Sequence, residues 1–403
     1  MAPPGGRLPS LPRACQRRMI RPSEGGRAMS EELRNRAAAF AAEILAPNAG
    51  QWERRREVPL AAFRRAAAIG LTEMALPARL GGSEIGFRDS LAVLAELAYF
   101  CLPFTFGLVV HNNLMRAIAR FGSARQIERY LPRLRRYEQV GAFLLTEPGG
   151  GSDAANIATT VRHDGADWVI DGAKAWISNA ANAHVLSVYA QTQHGAGARG
   201  IACFLVEADQ PGVIREPPYE VMGGHALGTG GFQLQGVRVT DEAVLLAPGD
   251  GFKGAMAGID NARATVAALC CALLRCGLDT ALAYVSRRQA FGQTIADFQG
   301  VQWMLADVAT ELEAARLLAD RAAELIETGA PATLAAAHAK KFATRVALKG
   351  LADCMQVMGA AGFRHDWPLA RHLASAKMAQ YLDGATEIQN VVIARALLRA
   401  HRR

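Results

Sequence analysis

The chain has 403 residues, of which 51% are hydrophobic, 20% charged and 7% aromatic. That excludes a disordered chain and suits a globular protein of two or three domains with an ample core. Of the net charge of +8, residues 1–29 carry +5, six Arg against Glu24, and the remaining +3 forms no Lys/Arg stripe interleaved with aromatics, which excludes a nucleic-acid partner.

The head, residues 1–29, is rich in Pro, Gly and Arg and lacks the apolar core of a signal peptide. Arg-rich and acid-poor, it could pass for a transit peptide, but it reads better as a disordered tail or an over-called start. The fold then begins at Met29-Ser30-Glu31-Glu32, with Ser30 capping a helix. Leu33, Ala37, Phe40, Ala41 and Ile44 recur at helical spacing up to Pro47, where that helix is expected to stop. Further helices follow over 64–69, 92–97, 113–120 and 127–134, so residues 30–143 read as a helical domain.

From 144 to 250 the pattern changes to strands. Residues 168–170 and 173–176 read as the arms of a hairpin turning at Asp171-Gly172, and 185–189, 201–206 and 232–235 as further strands. Gly195-Ala-Gly-Ala-Arg-Gly200 fits G-x-G-x-x-G, but a strand rather than a helix follows it, so it is a hairpin loop and not a dinucleotide site. From 251 to 403 long helices return, one carrying the stripe Leu305, Val308, Leu312, Ala315 and Ala319. No uninterrupted apolar run approaches a membrane span, so no membrane insertion is expected. The seven cysteines, odd in number and without a C-x-x-C pair, suggest neither disulfides nor zinc, and a reducing, cytoplasmic setting follows. No metal is expected: His338, His365 and His372 lack ligand spacing and read as surface or capping residues.

Two stretches carry chemistry. Leu145-Thr-Glu-Pro-Gly-Gly-Gly-Ser-Asp153 turns sharply and offers free N–H groups and hydroxyls to a ligand. Trp176-Ile177-Ser178-Asn179 sets a flat ring beside a small hydroxyl. A third, Asp383-Gly384-Ala385-Thr386-Glu387-Ile388-Gln389, places Asp383 on a Gly-containing loop before a terminal helix, with Thr386 and Gln389 spaced as a capping box.

Together the first two stretches resemble the signature of the acyl-CoA dehydrogenase family of flavoproteins, and the likeness spans roughly residues 30–400. The resemblance implies an α+β fold with an N-terminal helical domain, a small central β domain and a C-terminal four-helix bundle. Arg288-Gln-Ala-Phe291-Gly292 and Gln356-Val357-Met-Gly359-Ala360 look like two further motifs of the family, which serve the FAD pyrophosphate and ribityl region largely across a subunit interface. An Arg fork suits a pyrophosphate. The implied FAD contacts are Leu145, Thr146, Gly151, Ser152, Trp176, Ile177, Ser178, Arg288, Phe291, Phe298, Gln299, Gln356, Val357, Gly359, Ala360, Ala385, Thr386 and Glu387. The implied substrate contacts are Ser152, Asp260, Arg263, Leu382, Asp383 and Gly384.

By the same resemblance the reaction is α,β-dehydrogenation of an acyl thioester, carried on CoA or on an acyl-carrier protein. Asp383 is implied as the base for the α-proton, with hydride passing to the flavin N5 and Arg263 beside the base. An electron-transfer flavoprotein or another acceptor would reoxidise the flavin, and the protein would be a homo-oligomer, a tetramer built from dimers. Most members have Glu where this chain has Asp383. In another group the base precedes the Arg matching Arg263, and here that position is Ala262, which cannot serve. Further departures are Ala374-Ser375-Ala376-Lys377 for Arg-Asp-Ala-Lys, Leu382 for an aromatic, and His225–Gly228 for a loop that often reads Arg-Gly-Ser. They bear on substrate more than on cofactor. Two alternatives stand beside the dehydrogenase: a flavin oxidase on the same fold, akin to acyl-CoA oxidase or to nitroalkane oxidase with its Asp base, and a catalytically weakened binding protein.

Overall fold

The computed structural model describes residues 27–402, with side chains from Met29 onward, so most of the expected tail (1–26) lies outside the described residues. The first helix, α1 (Arg27–Phe40), passes through one π-helical turn (Ala41–Leu45) into α2 (Ala46–Arg55). The expected stop at Pro47 does not occur. The π turn resets the hydrogen-bond ladder, so Pro47 falls in the first turn of α2, where its missing N–H leaves no bond unmade. Ser30 likewise is not a cap: it lies inside α1, buried, and its Oγ donates to Asp89 Oδ2 at 2.7 Å.

Four helices complete the N-terminal region: α3 (Leu60–Ala68), α4 (Phe87–Ala98), α5 (Leu102–Phe121) and α6 (Ala124–Arg135). A capping box does form here, between Ser123 and Gln126 at the start of α6. Phe104 of α5 stacks on Phe63 of α3, 4.6 Å between ring centroids, and Tyr137 stacks on the same Phe63 at 4.6 Å. These rings belong to one large core shared with the C-terminal helices.

Eight strands form one sheet: β1 (Gly141–Leu144), β2 (Thr160–Asp164), β3 (Asp167–Ile177), β4 (Val185–Gln191), β5 (Ile201–Glu207), β6 (Val213–Arg215), β7 (Gly230–Thr240) and β8 (Val244–Leu246). Their order is β6-β7-β3-β2-β4-β5-β8, with β1 parallel to β4. Every residue of β4 is buried, in keeping with its largely apolar sequence, and the polar side chains of Ser187 and Gln191 are satisfied: Ser187 Oγ donates to the Ala142 carbonyl at 3.2 Å and Gln191 to the Gly197 carbonyl at 3.0 Å. Leu186 and Val188 pack inside the sheet with Phe204 and Phe232, while Val185 and Tyr189 face Leu114, Ile118 and Leu134 of α5 and α6. The Gly195–Gly200 segment is the link between antiparallel β4 and β5, as expected.

The expected hairpin turn at Asp171-Gly172 is absent. Residues 167–177 form the single strand β3, and the register slips against β7 between Ile170 and Gly172. Gly172 marks a bulge, not a reversal.

Helices α7 (Gly251–Ala257), α8 (Ile259–Val285), α9 (Gln299–Glu327), α10 (Thr333–Val357), α11 (Leu369–Ala379) and α12 (Thr386–His401) make the C-terminal bundle, with a short ribbon, β9 (Gln289–Ala290) and β10 (Gln293–Thr294), between α8 and α9. The α8 segment is apolar and long enough to cross a membrane, but it is mostly buried in the bundle core. It approaches α10 through reciprocal small-to-large contacts: a Cβ on Gly277 would meet Leu351 at 2.5 Å, and one on Gly350 would meet Leu274 at 2.7 Å. His338 and His365 are exposed, but His372 is not a surface residue. It is buried against the main core, its Nε2 is 3.0 Å from the Tyr99 carbonyl, and burial pushes its pKa down to about 3.

Gly172 has φ +151°, and a Cβ there would lie 2.7 Å from the Thr159 Cα. Backbone cannot yield as a side chain can, so Gly172→Val should destabilise the protein by about 1–3 kcal/mol in a urea titration. A variant as stable as the parent would show that the bulge is not required.

Candidate active site

The first half of the site is the loop that leaves β1. Glu147 and Gly150 exchange backbone hydrogen bonds of 3.3 and 3.1 Å, which closes the Pro148-Gly149 turn. The Thr146 carbonyl accepts from Ala175 N at 3.0 Å, fastening the loop to β3. Behind it lies a buried ion pair. Lys174 Nζ is 2.8 Å from Glu147 Oε1 and also donates to the Leu145 carbonyl at 3.2 Å, so one ammonium holds the residues on both sides of Thr146. The Glu147 carboxylate further accepts from Thr159 N at 2.9 Å and from Ala158 N. Burial opposes the charge on Glu147, yet Lys174 and those N–H donors hold its carboxyl below the usual range. Burial pushes Lys174 down to about 8 against the pull of Glu147. Gly151 and Ser152 stand exposed at the tip.

β3 delivers the second element. Trp176 adopts φ +59°, an unusual conformation for a bulky residue, and is 61% exposed, its ring meeting Tyr219 edge-on at 4.9 Å. Asn179 is also left-handed, φ +63°, and is buried. Its side-chain amide donates to the Gly107 carbonyl at 2.9 Å and the Gly141 carbonyl at 3.3 Å, and its N–H to Leu227 O at 3.2 Å. Ile177 is buried beneath the strand and Ser178 is half-buried. The structure therefore sets Thr146, Trp176 and Ser178 on neighbouring segments fixed from behind.

The other half lies between α11 and α12. Asp383 has φ +51° and Gly384 φ +90°. Among the described residues the Asp383 carboxylate accepts no hydrogen bond, and its backbone N–H donates none. Burial pushes its pKa up to about 6, opposed by the Lys340 ammonium and the Arg263 guanidinium. Arg263 is buried on α8 and pairs with Asp260 at 3.3 Å, whose other oxygen accepts from Thr333 Oγ1 at 2.6 Å. The Arg263 Nε is buried without a partner. Lys340, buried on α10, donates to the Gln380 carbonyl at 3.1 Å and to the Gly384 carbonyl. Leu382 packs against the main core.

Thr386 and Gln389 do not form a capping box. Ala385 occupies the cap position without a side-chain bond, and Gln389 is buried with its amide donating to Gly384 O at 2.9 Å. The box would have used the Gln389 Oε1 as an acceptor for the cap N–H, but here that oxygen is buried without a partner and only the amide NH2 is engaged. Ala385 and Thr386 are half-buried and Glu387 is exposed.

The remaining predicted residues belong to the C-terminal helical region. Arg288, Phe291, Gln299, Gln356, Gly359 and Ala360 are exposed, Val357 is buried, and Phe298 meets Phe291 edge-on at 6.2 Å. Among the described residues no hydrogen bond or ring contact joins them to Trp176 or Asp383. Sequence reasoning missed both lysines. A Lys on the apolar stripe Ala336, Ala339, Ala343, Ala347 of α10 was the available signal for Lys340.

Three family descriptions match in succession: "Acyl-CoA dehydrogenase, N-terminal domain" over residues 28–138, "middle domain" over 142–237 and "C-terminal domain" over 249–398. The chain is 34% identical over 371 residues to the short-chain specific acyl-CoA dehydrogenase, mitochondrial, of Bos taurus, covering 92% of this chain and 90% of that protein. Its fold matches butyryl-CoA dehydrogenase from Megasphaera elsdenii with a TM-score of 0.88 at 30% identity, over 92% of this chain and 98% of that one. It also matches a glutaryl-CoA dehydrogenase from Mycobacterium smegmatis in complex with FADH2, with a TM-score of 0.86 at 27% identity, over 92% and 94% of the two chains.

Removing one partner of the buried pair strands the other charge. Lys174→Met should cost about 3–5 kcal/mol in denaturant unfolding. Replacing Arg238, whose pairs with Asp164 and Asp167 are exposed, should cost at most about 1 kcal/mol. Equal costs would show that the ion pair does not anchor the loop.

Proposed function

Because the chain belongs to the acyl-CoA dehydrogenase family, FAD-dependent oxidoreductases that dehydrogenate the CH–CH group of acyl thioesters, we propose that Asp383 is the base of this reaction. The observation that carries the proposal is its carboxylate: without a hydrogen-bond partner, on a left-handed loop, and poised near neutrality between burial and two cations. A general base needs a free lone pair and a pKa near the working pH, and Asp383 has both.

The residues fit FAD. Trp176 offers an exposed flat ring, and the half-buried hydroxyls of Thr146 and Ser178 stand on segments anchored to the protein behind them. Arg288 and Gln356 are exposed on the C-terminal helical region and suit a pyrophosphate and a polar chain. When bound, FAD supplies the acceptor for the hydride from Cβ. The chain's own residues do the rest. Asp383 takes the proton from Cα, and that C–H electron pair becomes the new Cα–Cβ double bond as the hydride leaves Cβ. The unpartnered N–H of Asp383 donates to the thioester carbonyl as negative charge grows there. The product is the α,β-enoyl thioester, and charge and atoms balance as one proton and one hydride.

The thioester is a short acyl-CoA on this reading, as the names of the bovine and Megasphaera relatives suggest. An electron-transfer flavoprotein reoxidises the flavin. Phe291, 96% exposed at φ +52°, and Phe363, 80% exposed, are covered in a homotetramer, where Arg288 and Gln356 reach a neighbour's FAD.

Anaerobic mixing with a panel of acyl-CoA thioesters tests the assignment. Flavin bleaching should rise with pH through about 6, because the carboxylate is the active form and protonation removes it. Asp383→Asn should keep the flavin spectrum and substrate binding but slow bleaching by on the order of 10²–10⁴ or more. Bleaching at the parental rate in that variant would place the base elsewhere.

A further inference from the structure

Lys340 is the residue whose placement the reaction as described does not use. It sits on α10 with its ammonium buried, facing the turn that carries Asp383. The two carbonyls it holds, Gln380 O at 3.1 Å and Gly384 O, bracket Asp383 on either side in the chain. A lysine held this way supplies donors to both ends of a strained turn and a positive charge beneath its middle. We propose that Lys340 is a positioning residue for Asp383: it fixes the left-handed turn that presents the carboxylate and keeps that carboxylate ionised at neutral pH. This rests on the reading of Asp383 as the base.

The electrostatic environment supports a direct role. The charged and titratable groups facing Lys340 are Asp383 from the turn, Glu387 from α12, and Arg263 and Cys270 from α8. Arg263 also acts on Asp383 but is bonded to Asp260, so it is the smaller of the two cationic influences there. The Lys340 ammonium makes no side-chain ion pair of its own among the described residues: its hydrogen bonds go to backbone carbonyls. Its charge therefore remains available to Asp383. Burial lowers Lys340 to about 8 while Asp383 works to raise it, and Lys340 in turn works to lower Asp383. Such coupling is reciprocal.

The test compares holoenzyme carrying Lys340→Met or Lys340→Arg with the parent. In Lys340→Met the acid limb of the flavin-bleaching profile should move up by about one pH unit or more, as expected when an opposite charge beside a carboxylate is removed. Lys340→Arg should return the limb toward the parental position. The protonated Asp383 carboxyl, followed by infrared titration and assigned by its loss in Asp383→Asn, should shift with the limb. A purely structural lysine would change flavin content or stability and leave both midpoints where they were, and that result overturns the proposal. If Lys340→Met does not fold, the reverse measurement decides. The Lys340 ammonium, followed by nitrogen NMR, should titrate at lower pH in Asp383→Asn than in the parent, and an unmoved midpoint overturns the proposal. Failure of the base reading itself is separate: it would show as parental bleaching in Asp383→Asn, whatever the Lys340 titration does.

Discussion

A buried ammonium stands behind each of the two loops from which the site is built. Lys174 grips the Leu145 carbonyl and the Glu147 carboxylate around Thr146, and Lys340 grips the Gln380 and Gly384 carbonyls around Asp383. Burying a cation is costly unless its donors are satisfied and a counter-charge is near. Both lysines meet those terms, and burial pushes each down to about 8 against the pull of its carboxylate neighbour. In each case the ammonium turns a loop, ordinarily the least rigid part of a fold, into a fixed platform.

Fixed platforms make strain tolerable. Trp176, Asn179 and Asp383 all occupy the left-handed region, which costs about 1–3 kcal/mol each for residues with a side chain. The surroundings hold Asn179 by three hydrogen bonds and bracket Asp383 between two anchored carbonyls. The return is a ring with a free face and a carboxylate with free lone pairs. An Asp also reaches on the order of 1 Å less far than the Glu usual in this family, and misplacement on that scale can cost ~10² in rate. A turn locked by a lysine and by Gln389 is one way for the backbone to make up that reach.

Much of this was legible in the chain. The α, β, α layout followed from a change of period, and β4 and β5 lie where apolar runs indicated. The loop at 145–153 and Trp176–Asn179 each read singly as an ordinary loop and strand, and Asp383 as a carboxylate before a helix; it was their joint resemblance to the family's motifs that marked them. What failed, failed locally. Pro47 reads as a helix stop only if the ladder is continuous, and a π turn broke it. Asp171-Gly172 has hairpin composition, but Gly172 serves close approach to Thr159 instead. Thr386 and Gln389 have the spacing of a capping box, but tertiary context diverts Gln389 inward. The buried lysines were invisible because a Lys in a helix or strand is usually solvated, and only the fold shows which are not. Arg288 and Gln356 are exposed and share no hydrogen bond with Trp176 or Asp383 among the described residues, and only the resemblance, not spacing, assigns them a place at the cofactor.

As the proposed base, Asp383 exchanges a proton with the α-carbon of the thioester. That role is tested most directly where hydride transfer is blocked. Holoenzyme reduced beforehand and held anaerobically in D2O with a saturated acyl-CoA should place deuterium at Cα and none at Cβ, and the exchange should stop in the Asp383→Asn protein. Exchange at Cα at the parental rate in that variant would contradict the account.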